Sequence, residues 1–282
     1  CVVVSDTAMF APGIPALVMG LRGMLYSEIT IEGAGRDLHS GLYGGVAPNP
    51  FEALVRVLAD LKAPTGEILI PGFYDRVLPP NPEEQAAWGR LPFDVEAYRR
   101  DEVRAERLGG EGKFSVFERT WSRPTLDIHG MPGGFTGPGS KTVIPARASA
   151  KVSMRLVPDQ RASEIEQQFQ AAVLKLVPPG YRCSVQTLSL ADPILVSAES
   201  EYVRAAQQAL QSVYGAEPVL VRSGGSIPVV ALFTHELRVP VVMMGFGLPD
   251  DGLHSPNEKF ALSSYYGGIE AVAEFMGRLA QV

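Results

Sequence analysis

The chain has 282 residues, of which 46% are hydrophobic and 20% charged, and its net charge is −6. That length supports one large domain or two ordinary ones, and the composition excludes a disordered chain or a collagen-like repeat. The longest apolar run, Val239 to Leu248, is broken by Pro240, Gly245 and Gly247 and is too short to span a bilayer, and no Lys/Arg cluster alternates with aromatics, so neither membrane nor nucleic acid is an expected partner.

In chain order, Cys1 to Ser5 is β-branched and continuous, which predicts a strand buried on both faces of a parallel sheet. The opening lacks an initiator Met and a signal-like leader, so two explanations compete: a piece of a longer protein, or a processed N-terminal nucleophile at Cys1. Gly23 to Gly33 alternates between Met24, Tyr26, Glu28, Thr30 and Glu32 on one side and Leu25, Ile29 and Ile31 on the other, a strand with one wet face. Asn49 and Pro50 start a helix carried by Phe51, Leu54, Val55, Leu58 and Leu61 and stopped before Pro64. From 65 to about 122 the chain is rich in Pro, Gly and charge, with helical stretches at 82–90 and 94–107, and is expected to elaborate a smaller domain. Val143 to Val157 alternates as a long strand, Ser163 to Leu176 is an amphipathic helix, and Tyr181 to Leu190 alternates again.

After Asp192 the pattern changes to helix 200–214, strand 218–221, helix 228–237, buried strand 239–245 and helix 263–279, as in a parallel α/β sheet. Segments 1–20 and 190–282 are therefore expected to form one discontinuous α/β domain, interrupted by an α+β domain at 21–189. Two cysteines, Cys1 and Cys183, outside any CxxC, suit a reducing, cytoplasmic setting.

Chemistry-bearing residues are few. The four histidines, His39, His129, His235 and His254, form no HxH, HExxH or Cys/His pair, so any metal site must draw on distant elements; GxGxxG before a helix, the P-loop and GxSxG are all absent. Asp6 ends a buried parallel strand, and His254 lies in a polar loop after another, both at the edge where open α/β sheets bind ligands. Asp6 also reads as a turn residue and His254 as an ordinary loop residue. His39 stands in a glycine-rich loop before a helix, where imidazole and backbone donors can face an anion or simply form a turn. Arg155 projects from the polar side of its strand with Arg147 and Lys151, as a solvated or a ligand-binding side chain. Ser226, in Arg222-Ser-Gly-Gly-Ser-Ile-Pro228, precedes a helix start as an anion contact or an N-cap. His129 and His235 are assigned to structure, and Glu83-Glu84 to a charged first helical turn.

Val4-Ser-Asp6, Asp37-Leu-His-Ser-Gly41, Lys141-Thr-Val-Ile-Pro145, Arg155-Leu-Val-Pro158, Arg222-Ser-Gly-Gly-Ser-Ile-Pro228 and Asp250-Asp-Gly-Leu-His-Ser-Pro-Asn-Glu258 together resemble the co-catalytic metallopeptidases of the carnosinase and cytosolic non-specific dipeptidase type, relatives of aminoacylase and glutamate carboxypeptidase. The resemblance implies an α/β, phosphorylase/hydrolase-like catalytic domain holding two zinc or manganese ions, with an inserted ferredoxin-like lid through which the enzyme forms a homodimer. It implies metal ligands at Asp6 and His254, and at His39 a catalytic oxyanion donor serving the partner subunit's site. It also implies that Thr142, Arg155 and Ser226 bind a dipeptide substrate, chiefly its C-terminal carboxylate. The family's His-x-Asp bridging ligand and Glu-Glu general base have no counterpart here, and Glu83-Glu84 falls in the lid. The expected function is the C-terminal part of a metal-dependent dipeptidase; the alternatives are a non-catalytic dimerisation or binding module and a Cys1 amidohydrolase.

Overall fold

The structure, a computed structural model, describes residues 1–280. In chain order the elements are β1 (Val2–Val4), β2 (Ala16–Leu21), β3 (Gly23–Glu32), β4 (Leu38–His39), α1 (Ser40–Tyr43), α2 (Pro50–Asp60), α3 (Pro82–Gly89) and α4 (Val95–Ala97). There follow β5 (Thr125–Gly130), β6 (Val143–Ile144), β7 (Arg147–Leu156), α5 (Ala162–Leu176), β8 (Arg182–Ala191), β9 (Ile194–Leu195), α6 (Glu201–Tyr214), β10 (Val219–Ser223), α7 (Pro228–Leu232), β11 (Val241–Met243) and α8 (Leu262–Leu279). The chain is a mixed α/β protein of two compact units, the first comprising Cys1–Arg22, Pro80–Pro92 and Ile194–Val282, the second Gly23–Pro79 and Phe93–Pro193.

The second unit is a four-stranded antiparallel sheet in the order β5-β7-β3-β8. With α2 after β3 and α5 after β7, this is the ferredoxin-like β-α-β-β-α-β arrangement. Period two sorts its side chains: Leu25, Ile29 and Ile31 of β3 and Ala150, Val152 and Met154 of β7 are buried with Leu54 and Val57 of α2 and Phe169 and Val173 of α5. The opposite side carries Tyr26, Glu28, Lys151, Ser153 and Arg155. Asn49 caps α2, its Oδ1 accepting from Phe51 N at 3.1 Å, but Val55 points outward and is exposed. The expected strand from 143 to 157 is two pieces, β6 and β7, because Pro145 has no N–H for the ladder.

In the first unit, β10 runs parallel to β2, which pairs on its other side with the antiparallel β9, and β1 runs parallel to β11. Leu17 and Met19 of β2 pack with Val242, Met244 and the inner faces of α6 and α8, including Ala206, Ala271 and Phe275. β2 is absent from the sequence expectations: all six of its residues are buried, so it lacks the alternation that marks a strand. Conversely, β1 is only half-buried, not buried on both faces, and among the described residues its strand partner is β11. The expected insertion at 65–122 also does not stay together. Pro80–Pro92 belongs to the first unit, where Trp88 is buried and Glu84 pairs with Arg222.

Candidate functional site

In the second unit, β4 and β6 form a two-residue antiparallel ladder that sets His39 opposite Val143, one residue from Thr142. Ser40 N donates to Thr142 O at 3.0 Å and Ala146 N to Asp37 Oδ1 at 2.9 Å, fastening the loop at both ends. Gly41 N donates to His39 Nδ1 at 3.0 Å. An acceptor at Nδ1 puts the neutral ring's proton on Nε2, which faces Thr142 Oγ1 at 3.3 Å. Residue 41 has to be small for this fold-back, since a Cβ there would meet His39 Cε1 at 2.9 Å. The four-residue α1 that follows is too short for a useful dipole, so the backbone-anion component of the loop reading drops out and the imidazole N–H remains.

Arg155 sits near the end of β7, half-buried, between Met24 of β3 and Thr125 of β5, on the same side of the sheet as Ser153. Nearby, His129 Nε2 lies 2.6 Å from Ser153 Oγ and its ring stacks on Tyr26 at 5.3 Å, a cross-strand packing role. The side chain of His235, also assigned to structure, lies outside the described residues.

In the first unit, Asp6 is exposed just beyond β1. The ladder with β11 continues past both strand ends, Met244 N donating to Val4 O at 3.0 Å and Met9 N to Gly247 O at 2.8 Å. Asp6 and the loop leading to His254 therefore leave the same, carboxyl, edge of a parallel pair. His254 is exposed and has a φ of 60°. Its loop hangs on Asp251, 1% exposed, which accepts from Leu248 N at 2.7 Å and from Lys259 Nζ at 3.2 Å. Hydrogen bonding to Lys259 also holds the Asp250 carboxyl below its ordinary range, and the same acidic pair raises Lys259.

Ser226 is not an N-cap. The cap position of α7 is Ile227, which has no side-chain cap bond, and the Ser226 hydroxyl donates to Arg22 O at 2.5 Å. With only five residues α7 makes no anion site of its own. The Ser223-Gly-Gly-Ser226 loop is instead pinned by Arg22, whose backbone N donates to Gly225 O at 3.2 Å and whose Nε donates to Gly224 O at 2.9 Å. Sequence reasoning missed Arg22, Gly41 and Asp37, whose contacts have no periodic signature. Glu84 stands in the charged first helical turn expected of it, but its pairing with Arg222 was not anticipated.

The structure thus brings His39 and Thr142 together in the second unit, with Arg155 on its sheet, while Asp6, Ser226 and His254 belong to the first. Asp6 and His254 are a carboxylate and an imidazole, donors that suit zinc or manganese. Among the described residues, however, no three His, Cys, Asp or Glu side chains gather as metal ligands. These residues do not by themselves make a metal centre. Among the described residues no helix is long and apolar enough to cross a membrane.

Residues 19–180 match the M20 family model described as the peptidase dimerisation domain. Over its whole length the chain is 34% identical to the Cys-Gly metallodipeptidase dug1 of Schizosaccharomyces pombe, of which it covers 60%. It resembles the crystal structure of human carnosine dipeptidase 1 with a TM-score of 0.84 and 33% identity, covering 99% of this chain and 59% of that one. An M20 family metallo-carboxypeptidase from Sulfolobus solfataricus gives a TM-score of 0.87 at 30% identity, covering 97% of this chain and 62% of that one. The chain therefore spans about 60% of the length of that dug1 relative.

Proposed function

This chain belongs to the M20 peptidase dimerisation-domain family, and from that premise we propose that it is part of a metal-dependent dipeptidase cleaving the peptide bond next to a free C-terminal carboxylate. The observation that carries this reading is the His39 ring: Gly41 holds its Nδ1 as an acceptor, leaving Nε2–H as a fixed donor beside the Thr142 hydroxyl. A donor oriented before the reaction is what a tetrahedral oxyanion needs, and removing one such donor typically costs about 3–4 kcal/mol of barrier. Thr142 offers a hydroxyl to the substrate, Ser226 offers one when its proton turns from Arg22 O, and Arg155 offers a guanidinium whose planar fork matches a carboxylate.

In this reading, 1–20 and 190–282, joined by Pro80–Pro92, belong to the catalytic domain and the rest of 21–189 to the lid, through which two copies pair so that His39 serves the partner's site. Asp6 and His254 are two of the donors to a pair of zinc or manganese ions. The remaining donors, the bridging carboxylate and the general base have no counterpart in these residues. Two isolated thiols agree with a cytoplasmic setting.

The test uses the active dipeptidase that carries this chain. Arg155→Ala should weaken turnover of a free dipeptide by about a hundredfold in kcat/KM, the scale of a lost charge-assisted pair, and of its C-terminally amidated analogue by only a fewfold. Equal losses on both substrates would show that Arg155 does not hold the carboxylate.

A further inference from the structure

The first unit contains a buried ion pair that the proposed chemistry leaves unused. Arg222, at 5% exposure, places Nε and Nη2 at 2.9 and 2.7 Å from Glu84 Oε1, and Nη2 at 2.7 Å from Oε2. Its guanidinium also lies 5.6 Å from the centroid of the Trp88 ring. A buried guanidinium is tolerated only when its donors meet acceptors, and Glu84 supplies both carboxylate oxygens. Glu84 is itself fixed beforehand by a capping box: its N donates to Asn81 Oδ1 at 2.8 Å, and its Oε2 accepts from Asn81 N at 3.0 Å. Both partners are therefore held in place, one by α3 and the other by β10.

The location of the pair gives it a consequence. The β10 register shifts between Val221 and Arg222, and the chain then enters Ser223-Gly-Gly-Ser226. Arg22 fastens that loop along its length through Gly224, Gly225 and Ser226. At its start the anchoring side chain is Arg222. Gly20 of β2 lies beside the stem of Arg222: a Cβ there would stand 3.4 Å from Arg222 Cγ and Cδ and 3.1 Å from Ile194 O.

We propose that Glu84 is a positioning residue: by clamping Arg222 from outside the strand it sets the Ser223–Ser226 loop, and with it the hydroxyl of Ser226, which turns from Arg22 O to meet the substrate carboxylate. The first part stands on the ion pair; the second rests on the reading of Ser226 given above.

Glu84→Gln keeps the length of the side chain and one acceptor oxygen but removes the charge, and Glu83→Gln, an exposed neighbour in the same turn, is the control. Two readouts are taken on the active dipeptidase: hydrogen–deuterium exchange at Gly224 and Gly225, and the kinetics of a free dipeptide. For Glu84→Gln, exchange in the loop should accelerate and KM rise, each about tenfold, with kcat within about threefold of wild type and Glu83→Gln unchanged in both. If Glu84→Gln unfolds the unit, Arg222→Lys keeps the charge but loses the fork, and should give the same pattern. Loop exchange unchanged in whichever variant folds would overturn the clamp. Faster exchange with an unchanged KM would uphold the clamp and refute the placement of Ser226 at the substrate.

Discussion

Gly245→Ala tests how tightly the edge bearing Asp6 is built. A Cβ added at Gly245 would lie 1.9 Å from Thr7 O, 2.2 Å from Thr7 C and 2.5 Å from Thr7 N, all backbone atoms that no rotamer change can move. The two segments must separate until 1.9 Å becomes at least 3.4 Å, the lower limit of ordinary contact. That separation pulls on the flanking bonds, Met244 N to Val4 O and Met9 N to Gly247 O. Losing them costs about 1 kcal/mol each, and overpacking adds about 1–3 kcal/mol, for a total of about 4 kcal/mol. At roughly 2–4 °C per kcal/mol for a chain of this size, the melting temperature should fall by about 8–16 °C. Gly247→Ala, two residues on, is the internal control: its Cβ would meet Asp251 Oδ2 at 3.5 Å and Thr7 O at 3.7 Å, both ordinary contacts. Calorimetry of the two variants beside wild type decides the matter, and a Gly245→Ala protein as stable as Gly247→Ala would refute the packing argument. On the metal-binding role proposed for Asp6, the residue before Thr7, the same variant should also lower divalent-metal affinity in the proposed dipeptidase.

Two further expectations concern Tyr74 and the pair His39 and His254. Burial, with a smaller contribution from Glu111, raises the Tyr74 hydroxyl above its ordinary value, outweighing the opposing Ile68 N–H and Arg123. An acid raised on folding stabilises below its unfolded pKa, here about 10, and loses that contribution as pH climbs through the folded value; wild type should therefore lose melting temperature more steeply above about pH 10 than Tyr74→Phe, and parallel curves would show that Tyr74 does not couple to folding. Because each site in the proposed homodimer takes His39 from the partner, His39→Ala and His254→Ala should each be nearly inactive alone, yet mixing with subunit exchange should restore roughly a quarter of wild-type activity, and no recovery despite exchange seen by mass would place His39 within its own chain's site.

How much of this molecule was legible in the sequence depended on the range of the force concerned. The alternation of β3 and β7 and the Asn49 cap of α2 are nearest-neighbour effects, and they read correctly along the chain. β2 did not, because a strand buried on both faces has no period to detect. The order of the motifs placed His39 and Thr142 as candidates, but the tautomer of His39 is set by Gly41 N, a contact visible only once the ring folds back. Glu84 shows the limit most clearly. Read locally, it is an acidic residue in a first helical turn, and the capping box with Asn81 agrees with that. Its second partner, Arg222, is 138 residues away. A sequence clue existed on the other side, since an arginine that follows the apolar strand residues Val219 to Val221 needs an anionic or hydrogen-bonding partner if it is buried. Which carboxylate it finds is a matter of three-dimensional closure, and here it draws Pro80–Pro92 out of the expected insertion and into the first unit. The acid that settles the Ser226 loop therefore comes from a segment that, by composition alone, belonged elsewhere.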